Sequence, residues 1–285
     1  MFNSSIIGKL IFKGKLVNDE IYEKKKVEYA EIKNLIIANK YKSVDISDII
    51  WCIYSLSNGF LIASNYYSIS IYDKDFKVFK RINKIENISF YCNDLVVNES
   101  KNSIYFGDHQ NHRIIMMDTD LNHIKSIKNP SYLPHGIDCY NDGIYVCNSM
   151  NSAIVKFSSD LELEQTFLIG YQPFQIKIIE KTSMVRPTQF IQNNSIYFHH
   201  TETFEFIRKY DGHKGTLNVV GLNFYEFYFT DKKLFCYDNN GVLLEELEIE
   251  INELTKSRFN GALVFYDKNL IIGSDQPSKL FVFET

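Results

Sequence analysis

The chain has 285 residues, 45% hydrophobic and 15% aromatic, with a formal charge of -4. That is ample apolar material for one large core and leaves no case for disorder. The acidic balance supplies no long-range field that would draw in nucleic acid or anionic lipid.

From the N-terminus, Phe2 to Phe12 is interrupted by Asn3, Ser4, Ser5, Gly8 and Lys9, so it lacks the apolar centre of a signal peptide. No later apolar run approaches the ~20 residues that cross a bilayer. The cysteines (Cys52, Cys92, Cys139, Cys147, Cys236) show no CxxC spacing and read as reduced, buried thiols. These features predict a cytoplasmic protein without membrane insertion. Gly8 to Val17 alternates like a strand. Asp19 to Ser47 is open between two readings: Ile32, Leu35 and Ile36 suit a helix within Glu20 to Ala38, whereas Val27 to Ile32 alternates like a strand. The run Glu23 to Lys26 reads as a solvated turn.

Beyond this point a repeat takes over. Short apolar and aromatic triplets recur at Phe60 to Ile62, Ile104 to Phe106, Ile144 to Val146, Ile196 to Phe198, Phe227 to Phe229 and Leu270 to Ile272. Their mean spacing is about 42 residues, stretched across Tyr171 to Asp211 and contracted across Asn223 to Leu247. Tight-turn pairs such as Asn58-Gly59 and Asp142-Gly143 precede most of them. A second strand follows each, commonly ending at an acidic turn: Tyr72-Asp73, Met117-Asp118, Tyr210-Asp211, Tyr237-Asp238. One such unit exposes both faces of its small sheet and buries them only by stacking on its neighbours. The expected fold is therefore all-β: one domain over 1–285, a six-bladed β-propeller of four-stranded antiparallel blades. A seven-bladed ring or a long β-sandwich would give similar alternation.

Two consecutive units carry a more specific signature. Tyr105-Phe106-Gly107-Asp108-His109-Gln110-Asn111-His112-Arg113-Ile114 is followed by Leu133-Pro134-His135-Gly136-Ile137. These stretches resemble the NHL repeats, which implies a propeller of the NHL-like kind. The last unit has only three strands before Thr285. A strand from the N-terminal side is expected to supply the fourth and hide an open edge, and Gly8 to Val17 is the candidate.

Residues just before the first strand of each blade face the channel mouth, which nominates Trp51, Asn93, His135, Phe174, Arg258 and Asn260 as a binding site. The expected function is a ligand- or protein-binding scaffold, monomeric and without a cofactor, taking a protein, peptide or small ligand rather than RNA. The basic residues near one face, Arg113, Arg186 and Arg258, are few for a phosphate footprint. The alternative is a calcium-dependent hydrolase or lactonase-like enzyme holding an axial cation with Asp48, Asn93, Asp94, Glu226 and Asn260, all hard oxygen ligands. Asn and Asp at such places are also ordinary turn formers. NHL-like propellers include zinc-dependent amidating lyases with several Pro-His motifs. Pro134-His135 is a single one, too few for a catalytic zinc. No nucleophile elbow or phosphate loop is present. His109 and His112 read as turn supports, and His199 and His200 as strand neighbours pointing to opposite faces.

Overall fold

The computed structural model describes residues 30–46, 49–59, 61–188, 195–211, 216–220, 223–228, 232–251, 262–266, 268–275 and 278–284. Six four-stranded antiparallel sheets form, and they are the blades of a ring. Blade 1 comprises Cys52–Ser55, Leu61–Asn65, Ser68–Tyr72 and Val78–Ile82; blade 2 comprises Cys92–Asn98, Ser103–Asp108, Arg113–Asp118 and His123–Lys128. Blade 3 follows with Pro134–Tyr140, Gly143–Asn148, Ala153–Phe157 and Leu163–Leu168, and blade 4 with Pro173–Ile179, Thr182–Pro187, Ser195–His200 and Phe206–Asp211. Blade 5 is Thr216–Val220, Asn223–Tyr228, Lys233–Tyr237 and Leu243–Glu248. Blade 6 is Ala262–Tyr266, Asn269–Asp275 and Ser278–Phe283, completed on its outside by Tyr41–Asp45.

The first strand of each blade is innermost and neighbours the first strand of the next. Cys52–Ser55 lies beside both Cys92–Asn98 and Ala262–Tyr266, which closes the circle. The core is accordingly divided into six apolar clusters, one at each interface between consecutive blades. Between blades 2 and 3, for instance, Val96, Tyr105 and Ile114 pack on Ile137, Val146 and Phe157. This explains the aromatic content: large rings fill the wedge between two twisted sheets.

The closing strand does come from the N-terminal side, but it is Tyr41–Asp45, antiparallel to Ser278–Phe283 with Tyr41 opposite Phe283. Gly8 to Val17 lies outside the described residues, and the outer place in blade 6 belongs to Tyr41–Asp45. Of the two readings left open for Asp19 to Ser47, the helix holds over residues 30–38, the strand reading of Val27 to Ile32 is overturned at residues 30–32, and a separate strand, Tyr41–Asp45, follows. Residues 30–38 are helical, and Ile32, Leu35 and Ile36 are buried between blades 5 and 6. Lys33 anchors the helix through a 2.7 Å bond to Glu245.

Blade 4 corrects the repeat register. Its second strand is Thr182–Pro187, so the triplet Ile196 to Phe198 belongs to the third strand, and Tyr210-Asp211 ends the outer one. Apolar alternation marks a strand without marking its rank in the blade, and the longer connection after Pro187 displaced the pattern. Elsewhere the acidic turns hold. Asp73, Asp118 and Asp238 each accept two backbone N–H bonds from the turn that follows, at 2.7–3.0 Å, with Phe76, Leu121 and Gly241 at positive φ. Ser158 does the same work in blade 3.

Candidate functional site

The signature stretches Gly107 to Arg113 and Pro134 to Gly136 build one end of the ring. In blade 2, Asp108 ends the second strand and accepts bonds from the Tyr91 N–H at 3.0 Å, the Arg113 Nε at 2.7 Å and the Asn111 Nδ2 at 2.8 Å. His112 takes the left-handed conformation, φ 54°, and its Nδ1 meets the Tyr132 carbonyl at 2.7 Å. In blade 3, Asn148 repeats the device by accepting the Leu133 N–H at 2.9 Å. The glycines of the signature mark close approach. A Cβ on Gly107 would lie 2.8 Å from Pro134, and one on Gly136 would lie 2.6 Å from the Cα of Gln175. Each glycine lets its blade press its backbone against the next.

These turns gather aromatic rings at the mouth where the inner strands begin. Trp51 contacts Tyr66 with centroids 4.0 Å apart, Tyr66 contacts Tyr91 at 4.4 Å, and Tyr91 meets His109 at 4.3 Å. The row continues from His109 to His135 at 4.9 Å and from His135 to Phe174 at 4.9 Å, ending under the Arg186 guanidinium 5.6 Å from the Phe174 centroid. Blades 1 to 4 thus share one continuous arc, most of it half-buried. Asn93 Nδ2 lies 2.6 Å from His135 Nδ1, a contact that suits a neutral imidazole accepting at that nitrogen. Burial, with His109 alongside, lowers the His135 pKa to about 4. Burial also lowers that of His109.

Four of the six residues expected at the mouth, Trp51, Asn93, His135 and Phe174, are brought together there. Arg258 and Asn260 lie outside the described residues. His112 supports its turn as expected, but His109 joins the arc. His199 is buried against Tyr171, at 2.7 Å from its hydroxyl, while His200 is exposed.

Below the arc lies an axial cavity of about 310 Å³, lined by inner-strand residues of all six blades. Its polar lining includes Tyr54, Asp94, Asp138, Gln175, Lys177 and Asn218. Tyr54, Ser55, Val219 and Phe265, all towards the ends of their strands, are half-buried, whereas Asp94, Asp138 and Lys177 are buried. The cavity therefore opens towards the mouth opposite the arc. Lys177 Nζ lies 3.1 and 3.0 Å from the two oxygens of Asp94 and 3.4 Å from the Tyr54 hydroxyl. Burial opposes the lysine charge, but Asp94, Tyr54 and Asp138 together hold its pKa well above the usual value. Burial raises the Asp138 carboxyl to about 6, with Lys177 pulling it back.

The same side chains stitch the ring. Asp94 accepts the Ile137 N–H, Asp138 the Ile178 N–H, Gln175 the Leu217 N–H and Asn218 the Leu263 N–H, at 2.7–3.5 Å and separations of 40–45 residues. Each bond joins an inner strand to its successor.

Of the residues proposed for an axial cation, Asn93, Asp94 and Glu226 are described, and each has another partner. Asp94 is engaged on both oxygens by Lys177, Asn93 faces His135, and Glu226 is buried on the second strand of blade 5, beneath Tyr237 at 3.5 Å. Asp48 and Asn260 lie outside the described residues. Among the described residues no three His, Cys, Asp or Glu side chains are grouped to hold a metal ion. The donor set at the axis fits an ammonium, which Lys177 already provides. Of the basic residues considered for phosphate, Arg113 is buried on Asp108 and Arg186 is buried at the end of the arc. Among the described residues no helix is long and apolar enough to cross a membrane.

No protein-family model matches the sequence, and no curated protein matches it. Solved structures do. The chain is similar to the β-propeller domain of Cps50 (Swd1) from Myceliophteria thermophila, with TM-score 0.55 and 10% identity over 86% of this chain and 100% of that one. It is similar to virginiamycin B lyase from Staphylococcus aureus, with TM-score 0.58 and 12% identity over 85% and 98%. It is also similar to U3-55K, with TM-score 0.59 and 10% identity over 83% and 78%. At these identities the likeness is one of fold.

Proposed function

We propose that the chain is a binding scaffold whose strand-start mouth engages a peptide or protein segment through the arc from Trp51 to Phe174. The observation that carries this reading is the arc itself: six rings in unbroken contact, drawn from four blades and, apart from the buried Trp51, left half-buried at one end of the ring. Such rings supply large contact area with little rotamer freedom to lose, as hot-spot residues do at interfaces. The neutral imidazoles of His109 and His135 favour apolar and aromatic side chains over phosphates, and the burial of Arg113 and Arg186 argues in the same direction. The similar structures include a lyase and a propeller domain, so the fold does not choose among functions.

Trp51 is the single tryptophan and reports directly on the arc. Titration of the full chain with a peptide array, read by Trp51 fluorescence, is expected to find aromatic-rich segments that shift its emission. H135A and F174A are each expected to weaken those segments by about tenfold or more, the loss typical of a ring in a well-packed contact. Binding unaltered in both variants would reject the reading.

A further inference from the structure

The axial cavity lies below the arc and meets it at Trp51, and its charges do not balance. Its lining holds the carboxylates of Asp94 and Asp138 and one ammonium, that of Lys177. Lys177 is committed to both oxygens of Asp94. Asp138 is satisfied only on its backbone side, where one oxygen accepts the Cys139 N–H at 2.9 Å and the other the Ile178 N–H at 2.7 Å. A carboxylate has about four acceptor positions, so two remain. Among the described residues no side-chain cation lies within ion-pair distance of Asp138. Burying one negative charge in excess is unfavourable unless something of opposite charge joins it.

We propose that the axial cavity is a binding site for a small protonated amine, whose ammonium meets the free side of Asp138 and whose apolar part lies against the aromatic and aliphatic wall. That wall is at hand. Tyr54, Trp51 and Phe265 line the cavity together with Ile53, Leu217 and Leu263, and aromatic faces attract ammonium groups. The Lys177 ammonium over the Tyr54 ring, 5.7 Å from its centroid, is an example inside the same cavity. A volume of about 310 Å³ is at the lower end for ligand sites, which limits the ligand to a single ring or a short chain. Lys177 serves as a positioning residue that neutralises Asp94 and leaves Asp138 as the anion available to a ligand. The amine enters from the mouth where the inner strands end, so this site and the aromatic arc can be occupied together.

The test is calorimetric titration of the full chain at pH 7.5 with a series running from methylammonium to 2-phenylethylamine, with 2-phenylethanol and 2-phenylacetate as the neutral and anionic counterparts. One or more amines are expected to bind, with the alcohol and the acid weaker by about tenfold or more. Asp138→Asn, checked for a cooperative melt, is expected to remove the preference for amine over alcohol while leaving Trp51-reported peptide binding at the arc intact. Equal affinity for amine and alcohol in the unaltered chain, tighter binding of the acid, or silence across the whole amine series would each overturn the proposal. None of these outcomes bears on the arc, whose own test uses a different probe.

Discussion

Lys177 of blade 4 and Asp94 of blade 2 meet across the axis, the ammonium 3.0 Å from one carboxylate oxygen and 3.1 Å from the other, with both side chains buried. The pair ties together two blades that are not neighbours in the ring. Taking away one partner strands a charge in an environment that cannot solvate it. Asp94→Asn or Lys177→Met alone is expected to lower unfolding free energy by about 3 kcal/mol or more. The double variant removes both charges and is expected to lose less than the worse single one. Urea unfolding of the four proteins makes a double-mutant cycle. Additive losses would mean that the pair does not act as a unit.

Acid sensitivity should follow from His135. Its folded pKa of about 4 is below the 6.5 of an exposed imidazole, so the unfolded chain takes up a proton first as pH falls. The neutral-histidine contribution is complete above pH 6.5 and is lost progressively towards pH 4. His135→Gln, which can still accept from Asn93, removes this term. The stability difference between variant and parent is expected to move in favour of the variant by roughly 2 kcal/mol between pH 7 and pH 5. His109 and His199, whose pKa burial also lowers, should keep part of the slope in the variant. Parallel curves from chemical denaturation at the two pH values would contradict the assignment.

Ring closure depends on Tyr41–Asp45. Tyr41 packs on Phe281 and Phe283, with ring centroids 5.8 and 5.4 Å away. Removing residues 1–18 leaves this strand in place and is expected to preserve a closed ring. Removing 1–46 exposes the edge of Ser278–Phe283 and takes Ile32, Leu35 and Ile36 out of the cluster between blades 5 and 6. Exposed edges pair with other chains. Light scattering should therefore find association in the longer truncation and not in the shorter, and the reverse order would refute this placement of the seam.

Much of the ring was legible because stacking demands the same thing of every blade. Triplets such as Ile104 to Phe106 and Ile144 to Val146 repeat because each must fill a similar wedge, and Asp73, Asp118 and Asp238 repeat because each caps a similar turn. Blade 4 was misread where Thr182–Pro187, the true second strand, lacks the aromatic signature that Ile196 to Phe198 displays in the third. The mouth residues Trp51, Asn93, His135 and Phe174 could be picked out by their position ahead of inner strands. Tyr66 was not, since an aromatic residue in a turn looks the same whether it stacks on a neighbour or on nothing. Beyond Asp94, the axial network was missed for a different reason. In Gln175-Ile176-Lys177-Ile178 the polar residues alternate as they would on a strand facing water, and only ring closure turns that face towards a shared axis. A signal was available: Asp94, Asp138, Lys177 and Asn218 recur about 40 residues apart, polar positions inside strands that should otherwise be apolar.

The pairing of Tyr41 with Phe283 also orders events in time. On the ribosome, residues 41–45 emerge long before Ser278–Phe283 exists, so this early strand must wait while five blades find their neighbours. The nascent ring stays an open arc until Ser278–Phe283 is released, and the closing step joins two distant parts of the described chain. Contacts of such long range form slowly, although the entropy of closing a loop grows only with the logarithm of its length. The seam is consequently where the molecule finishes assembling. By the same geometry it is the natural place for the ring to begin coming apart under force or heat.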